Sequence, residues 1–84
     1  MDRRYRLEYG AQALDDLEAL SPRIRKQILG KIERLETGLH GDIKRLRQSD
    51  IAYRLRAGNH RILFDLEGAT IVIRRIGDRK AIYD

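Results

Sequence analysis

Two periods of apolar and polar residues run along this chain, and a basic, aperiodic stretch separates them. Residues 5–9, Tyr-Arg-Leu-Glu-Tyr, alternate apolar with charged side chains and predict a short strand ended by Gly10. Residues 11–20 predict a first helix, with Leu14 and Leu17 at helical spacing and acids between them. Ser21-Pro22 then restarts the chain. Serine is a good N-cap, and proline suits the first helical position, where its missing N–H costs nothing. The clearest stripe follows: Ile24, Ile28, Ile32 and Leu35 recur at steps of three and four, and Leu39 continues the series. Arg23, Arg25, Lys26, Lys31 and Arg34 fall largely off that stripe. Thr37-Gly38 is its expected end, because glycine supplies the left-handed cap. The two helices form an αα-hairpin.

Residues 40–50 read as irregular, with turn signals at Gly41 and Ser49-Asp50. Beyond them the period is two. Ile51, Tyr53 and Leu55 alternate with Ala52, Arg54 and Arg56, and residues 57–59, Ala-Gly-Asn, make a turn. Residues 60–66 form a second strand with Ile62, Phe64 and Leu66 on one face, where His60 would also lie, at the rim. Glu67-Gly68 closes a tight hairpin into a third strand over residues 69–76, which Gly77 breaks. Residues 80–83 are read as a short terminal strand or tail. The expected fold is α+β: an N-terminal strand, an αα-hairpin and an antiparallel meander (β-α-α-β-β-β) in a single compact domain over residues 1–84.

Composition narrows what such a domain can do. A chain of 84 residues supports one small core and buries only about 60–65% of the surface its unfolded form exposes. An active site must therefore lie on a sheet face or in a shallow groove. The formal charge is +5 and arginine dominates the cations, which favours a polyanionic partner, nucleic acid or an acidic protein. The absence of cysteine excludes disulfides and thiolate metal sites, and His40 and His60 match no metal spacing, so neither metal nor cofactor is expected. No apolar run approaches the roughly 20 residues that span a bilayer. Met1-Asp2-Arg3-Arg4 leads into no apolar stretch, so a cytoplasmic location is expected, with no membrane partner.

The charges are not spread evenly. Strand periodicity puts Arg54 and Arg56 on the face opposite Ile51, Tyr53 and Leu55, with Arg61 about 5–8 Å away across the hairpin. Lys44, Arg45 and Arg47 lead into this cluster, while Arg74, Arg75, Arg79 and Lys80 come from the last strand and its exit. The helices can cover only one face of the sheet, so the arginine face stays open to a ligand. Tyr53 belongs to the core side. Tyr83 can either plug an edge or stack on an exposed base, a contact worth about 1–3 kcal/mol.

Three stretches carry a resemblance. Residues 53–64, Tyr-Arg-Leu-Arg-Ala-Gly-Asn-His-Arg-Ile-Leu-Phe, show an aromatic, a basic-Leu-Arg, a glycine turn and then Arg with an apolar strand. Residues 76–83, Ile-Gly-Asp-Arg-Lys-Ala-Ile-Tyr, give a glycine, basic residues and a hydrophobic-Tyr pair, and Leu46-Arg47 precedes them both. In this order the chain resembles the RelE/ParE superfamily of bacterial toxins over almost its whole length. RelE-like members cut mRNA in the ribosomal A site, using the ribose 2′-OH as nucleophile and no metal. ParE-like members poison DNA gyrase, and both kinds are held inactive by a cognate antitoxin.

The resemblance implies a ribosome-dependent endoribonuclease. The alternatives are a gyrase poison of the same fold and a non-catalytic module that binds RNA or antitoxin. It would place Arg61 on the scissile phosphate, Arg79 near the leaving group, Tyr83 on a base and Arg54 where the family often has a catalytic lysine. Arg56, Lys44, Arg45, Arg47, His60 and Lys80 would add RNA contacts. The implied partners are the ribosome, mRNA and an antitoxin whose acidic segment lies over the helices or the arginine face. Two departures matter: Arg54 is a poor general base, since arginine does not give up its proton, and Ala52 stands where the family has a second lysine. The base is then Lys44, His60 or Tyr83, or the enzyme relies on orientation and electrostatics.

Overall fold

The structure is a computed structural model; it describes the backbone of residues 4–83 and the side chains of residues 4–82. The chain opens with strand β1 (Arg6–Tyr9), then α1 (Ala11–Glu18), α2 (Pro22–Glu33) and a single 3-10 turn (Arg34–Thr37). Strands β2 (Asp42–Arg45), β3 (Tyr53–Ala57), β4 (His60–Glu67) and β5 (Thr70–Asp78) follow, and a short helix α3 (Arg79–Tyr83) ends it. The sheet order is β1-β5-β4-β3-β2; β1 runs parallel to β5 and every other pair is antiparallel. The expected α+β architecture is present, with additions and corrections.

One correction is β2. Residues 40–50 carry no legible alternation, because Ile43 is the only apolar side chain between Asp42 and Arg45. Pairing to β3 makes the strand: Ile43 sits opposite Leu55 and Lys44 opposite Arg54. A charged outer edge also discourages further strands from adding there. The other correction is at the C-terminus, where residues 79–83 form a helix and not a strand or tail. Gly77 does not break β5, which continues to Asp78. Instead it makes room, since a Cβ there would meet Ile82 at 3.2 Å. The Asp78 carboxylate accepts the Lys80 N–H and starts the turn.

The helices differ from expectation in which side chains they bury. On α1 it is Ala13 and Leu17, four residues apart, that face the sheet, and Leu14 is exposed. The α2 stripe of Ile28, Ile32 and Leu35 is buried as predicted, but the chain tightens to 3-10 geometry at Arg34 and leaves Leu39 exposed. Ser21 caps α2 by accepting the Ile24 N–H. Arg25, off the stripe, closes the end of α1: its guanidinium donates to the carbonyls of Leu17, Glu18 and Leu20. Carbonyls orphaned at a helix end are thus satisfied by a neighbouring helix.

All of the large core lies on one side of the sheet. Leu55, Ile62, Phe64, Ile71, Ile73 and Ile76 meet Ala13, Leu17, Ile28, Ile32 and Leu35. Strict alternation cannot put both Ile73 and Ile76 inward, and a β-bulge resolves this. Phe64 pairs with Ile73 and Leu63 with Arg75, so Arg74 is the extra residue. The Ile76 N–H is taken by the Asp16 carboxylate of α1 at 2.8 Å. The bulge therefore turns Ile76 into the core and Arg75 onto the opposite, helix-free face.

Candidate nucleic-acid interface

The helix-free face is where the arginines gather, and the ladder places them. In register, Lys44 lies opposite Arg54, Asp42 opposite Arg56, Arg56 opposite Arg61 and Arg61 opposite Gly77. Because Gly77 has no side chain, α3 can fold close to the sheet and bring Arg79 to the same place. The result is a groove of about 390 Å³ lined by Lys44, Leu46, Arg54, Arg56, Arg61 and Arg79. Five of these six side chains are cationic and none is acidic.

The guanidinium groups are held, but not saturated. Arg61 is 4% exposed, an unusual depth for a charged residue. Its Nη1 donates to the carbonyls of Gly58 and His60, at 2.9 and 3.0 Å. Arg54 reaches Asp42 at 3.3 Å, and that carboxylate is largely in solvent. The Nε atoms of both Arg54 and Arg61 are buried without a hydrogen-bond partner. A buried donor left unmade costs about 1–3 kcal/mol, and such cases call for an explanation. Farther along the same face the charges are compensated: Arg74 pairs with Asp65 at 2.9 Å and with Glu67 at 3.0 Å. Among the described residues no group of three or more His, Cys, Asp or Glu side chains is placed to hold a metal ion.

Comparison with known proteins gives the family. Residues 7–83 match the family model described as ParE toxin of type II toxin–antitoxin system, parDE. The chain belongs to the RelE/ParE toxin family. Toxin RelE3 of Methanocaldococcus jannaschii is 39% identical over 74 residues, covering 82% of this chain and 84% of that protein. Putative toxin RelE1 of the same organism is 34% identical, covering 95% and 96% of the two chains. Among solved structures, the RelB–RelE antitoxin–toxin complex of Methanococcus jannaschii holds a chain of like fold. It has a TM-score of 0.76 and 34% identity, over 92% of this chain and 95% of that one.

Within this RelE/ParE fold, five of the positions singled out from the sequence, Lys44, Arg54, Arg56, Arg61 and Arg79, converge in the groove. Others do not. His60 points to the helix side, where it lines a cleft with α2, because even-numbered β4 residues share the face of Ile62 and Phe64. Arg45 also turns that way: opposite Tyr53, its guanidinium lies 5.5 Å over the phenol ring and reaches the hydroxyl at 3.4 Å. Arg47 adjoins the groove in an open hollow that shares Lys44 and Leu46, and Lys80 is exposed on α3. Tyr53 is half-buried and stacks on Phe64, as a core-side residue should. The side chain of Tyr83 lies outside the described residues. Leu46 also lines the groove; the sequence marked it only as part of the Leu46-Arg47 pair and gave it no site role.

Proposed function

We propose that this protein is a ribosome-dependent endoribonuclease that cleaves mRNA in the A site and so stops translation. The observation that carries the reading is the convergence of Lys44, Arg54, Arg56, Arg61 and Arg79 on one groove whose lining includes no acid. In the proposed reaction Arg54 and Arg61 grip the scissile phosphate, while Arg56 and Arg79 offset the charge that builds on its oxygens. The ribose 2′-OH attacks phosphorus, the bond to the 5′ oxygen breaks, and the products are a 2′,3′-cyclic phosphate and a 5′-hydroxyl. The proton of the 2′-OH leaves to a base, and the departing oxygen takes one up. Arginines do not serve as bases, so Lys44 is the lining side chain able to exchange a proton. The ribosome supplies part of the orientation. Tyr83 stacks on the exposed base.

Primer extension on a message under translation tests this. New 5′ ends are expected with the protein present and not with Arg61→Ala; uncut messages in arrested cells would overturn the reading. The match to a family model described as ParE toxin favours a second reading, inhibition of DNA gyrase. Loss of supercoiling activity in a purified gyrase assay is its expected signature. By analogy with the RelB–RelE complexes that share this fold, a cognate antitoxin is the proposed protein partner. It should co-purify when its reading frame is co-expressed.

A further inference from the structure

Strand β5 carries two adjacent arginines, Arg74 and Arg75, and the bulge puts both on the helix-free face. Arg74 reaches Asp65 and Glu67 there, and Arg75 stands opposite Leu63. Arg74 is neutralised and Arg75 is not. The Arg75 side chain is exposed, and its guanidinium has no hydrogen-bond or ion-pair partner among the described residues. The neighbouring carboxylates are engaged elsewhere. Asp16 accepts the Ile76 N–H with one oxygen and the Gln12 side-chain amide with the other, each at 2.8 Å. Asp65 accepts the Ala52 N–H at 2.8 Å and Arg74 at 2.9 Å. No strand flanks Arg75 on its outer side, because β1 ends where Tyr9 meets Ile73.

The register sets Arg75 in line with the groove. Lys44, Arg54, Leu63 and Arg75 face one another across four successive strands. Neighbouring strands lie about 4.8 Å apart, which leaves about 10 Å between the backbones at Arg54 and Arg75. Arg54 turns its guanidinium away from β5, to Asp42 on β2 at 3.3 Å. Arg75 therefore stands outside the groove lining, across Leu63 from it. We propose that Arg75 is a second phosphate subsite, which takes a backbone phosphate flanking the one in the groove, so that a single strand of nucleic acid crosses the sheet from β2 toward β5. The proposal rests on the reading of the groove as a phosphate site. A planar guanidinium offers paired N–H donors to phosphate oxygens. A polynucleotide repeats its anion along one chain, so a phosphate held in the groove makes the second contact intramolecular.

Ligand length separates the subsite from the groove. A 2′-deoxy dinucleoside monophosphate has a single phosphate and fills the groove alone, whereas a 2′-deoxy hexanucleotide also reaches Arg75. Neither is cleaved, because the nucleophile is missing. Binding is read by chemical-shift titration for the short ligand and by anisotropy for the long one. Arg75 is exposed and unpartnered, so its substitution should fold. Arg75→Ala should weaken the hexanucleotide about tenfold. It should leave the dinucleotide within about twofold. The slope of log K against log salt for the hexanucleotide should become shallower by about 0.7, the share of one phosphate contact on a single strand. Arg75→Lys keeps the charge and should keep that slope. Equal weakening at the two lengths would make Arg75 a source of general field and overturn the subsite.

Arg23→Ala removes the same charge from an exposed position on α2 and is the control. Its effect on the hexanucleotide should stay below about twofold. A loss there as large as that of Arg75→Ala would also overturn the subsite. Arg61→Ala should weaken both lengths, and it tells the two readings apart. If it does so while Arg75→Ala weakens neither, the subsite fails and the groove stands. If Arg61→Ala changes neither length, the groove reading fails and the subsite that rests on it falls too. A hexanucleotide that the unaltered chain does not bind overturns the subsite alone, and primer extension then decides the groove.

Discussion

The two faces of the sheet come from the same strands, yet they are finished by different means. On one face Leu55, Ile62, Phe64, Ile71 and Ile73 are closed off by helices. On the other, Leu63 and Val72 are each only 6% exposed with no long helix above them. Leu63 lies between Arg54 and Arg75 in the register, which places the methylene stems of two arginines beside it. That second face is itself divided. Around Arg74 the acids Asp65 and Glu67 neutralise the cations, whereas around Arg61 and Arg79 the groove has none. The helix face shows what the domain needs to fold, and the end of the other face whose lining has no acid is the proposed binding site.

The sharpest way to separate the faces is to damage each in turn. Phe64→Ala removes the largest fully buried side chain and should cost about 3–5 kcal/mol. That is a large fraction of the stability of so small a domain, and urea unfolding measures it. Arg61→Ala should do the opposite. It frees two turn carbonyls that solvent can reach, so its stability cost should stay near 1 kcal/mol. Cleavage of a translated message should fall about 10²–10³-fold, the typical loss of one charge-stabilising donor. If both variants lose stability alike, the division of labour between the faces is wrong.

A third variant tests the joint between the faces. Asp16→Ala leaves the Ile76 N–H of the bulge without its acceptor and should cost about 1–3 kcal/mol. Asp16→Asn keeps an acceptor oxygen and should recover part of that. Because the bulge sends Ile76 inward and Arg75 outward, the Ala variant should also lower oligonucleotide affinity; wild-type affinity would show that the groove does not depend on the bulge.

How much of this was legible follows the same division. Periodicity found the α2 stripe, the core faces of β3 and β4, and the shared face of Arg54 and Arg56. Each of those rests on repetition over several residues. It missed β2, because a four-residue edge strand with one apolar side chain is defined by its neighbour's hydrogen bonds. It misjudged residues 79–83, because what folds them is room above Gly77, a tertiary fact. It placed Arg45 among the groove cations, since Arg45 and Lys44 are both basic in an unpaired reading. Only the ladder reveals that they point apart. The position of His60 on the face of Ile62 was legible, yet what it faces there, a cleft under α2, was not.

The smallest expected effect concerns Tyr9, where the helix side takes in a titratable group. Burial, and after it the carboxylates of Glu33 and Glu36, hold this phenol above its ordinary ionisation range. In the unfolded chain Tyr9 loses its proton near its usual value of about 10. The folded protein keeps the proton to higher pH, so there the unfolded state binds fewer protons and stability falls as pH rises. The contribution is complete below about pH 10 and is lost as pH climbs through the folded value. Tyr9→Phe cannot ionise and should lose less stability between pH 9 and pH 11 than the unaltered chain, as read by urea midpoints. An equal loss in both would place the alkaline sensitivity elsewhere.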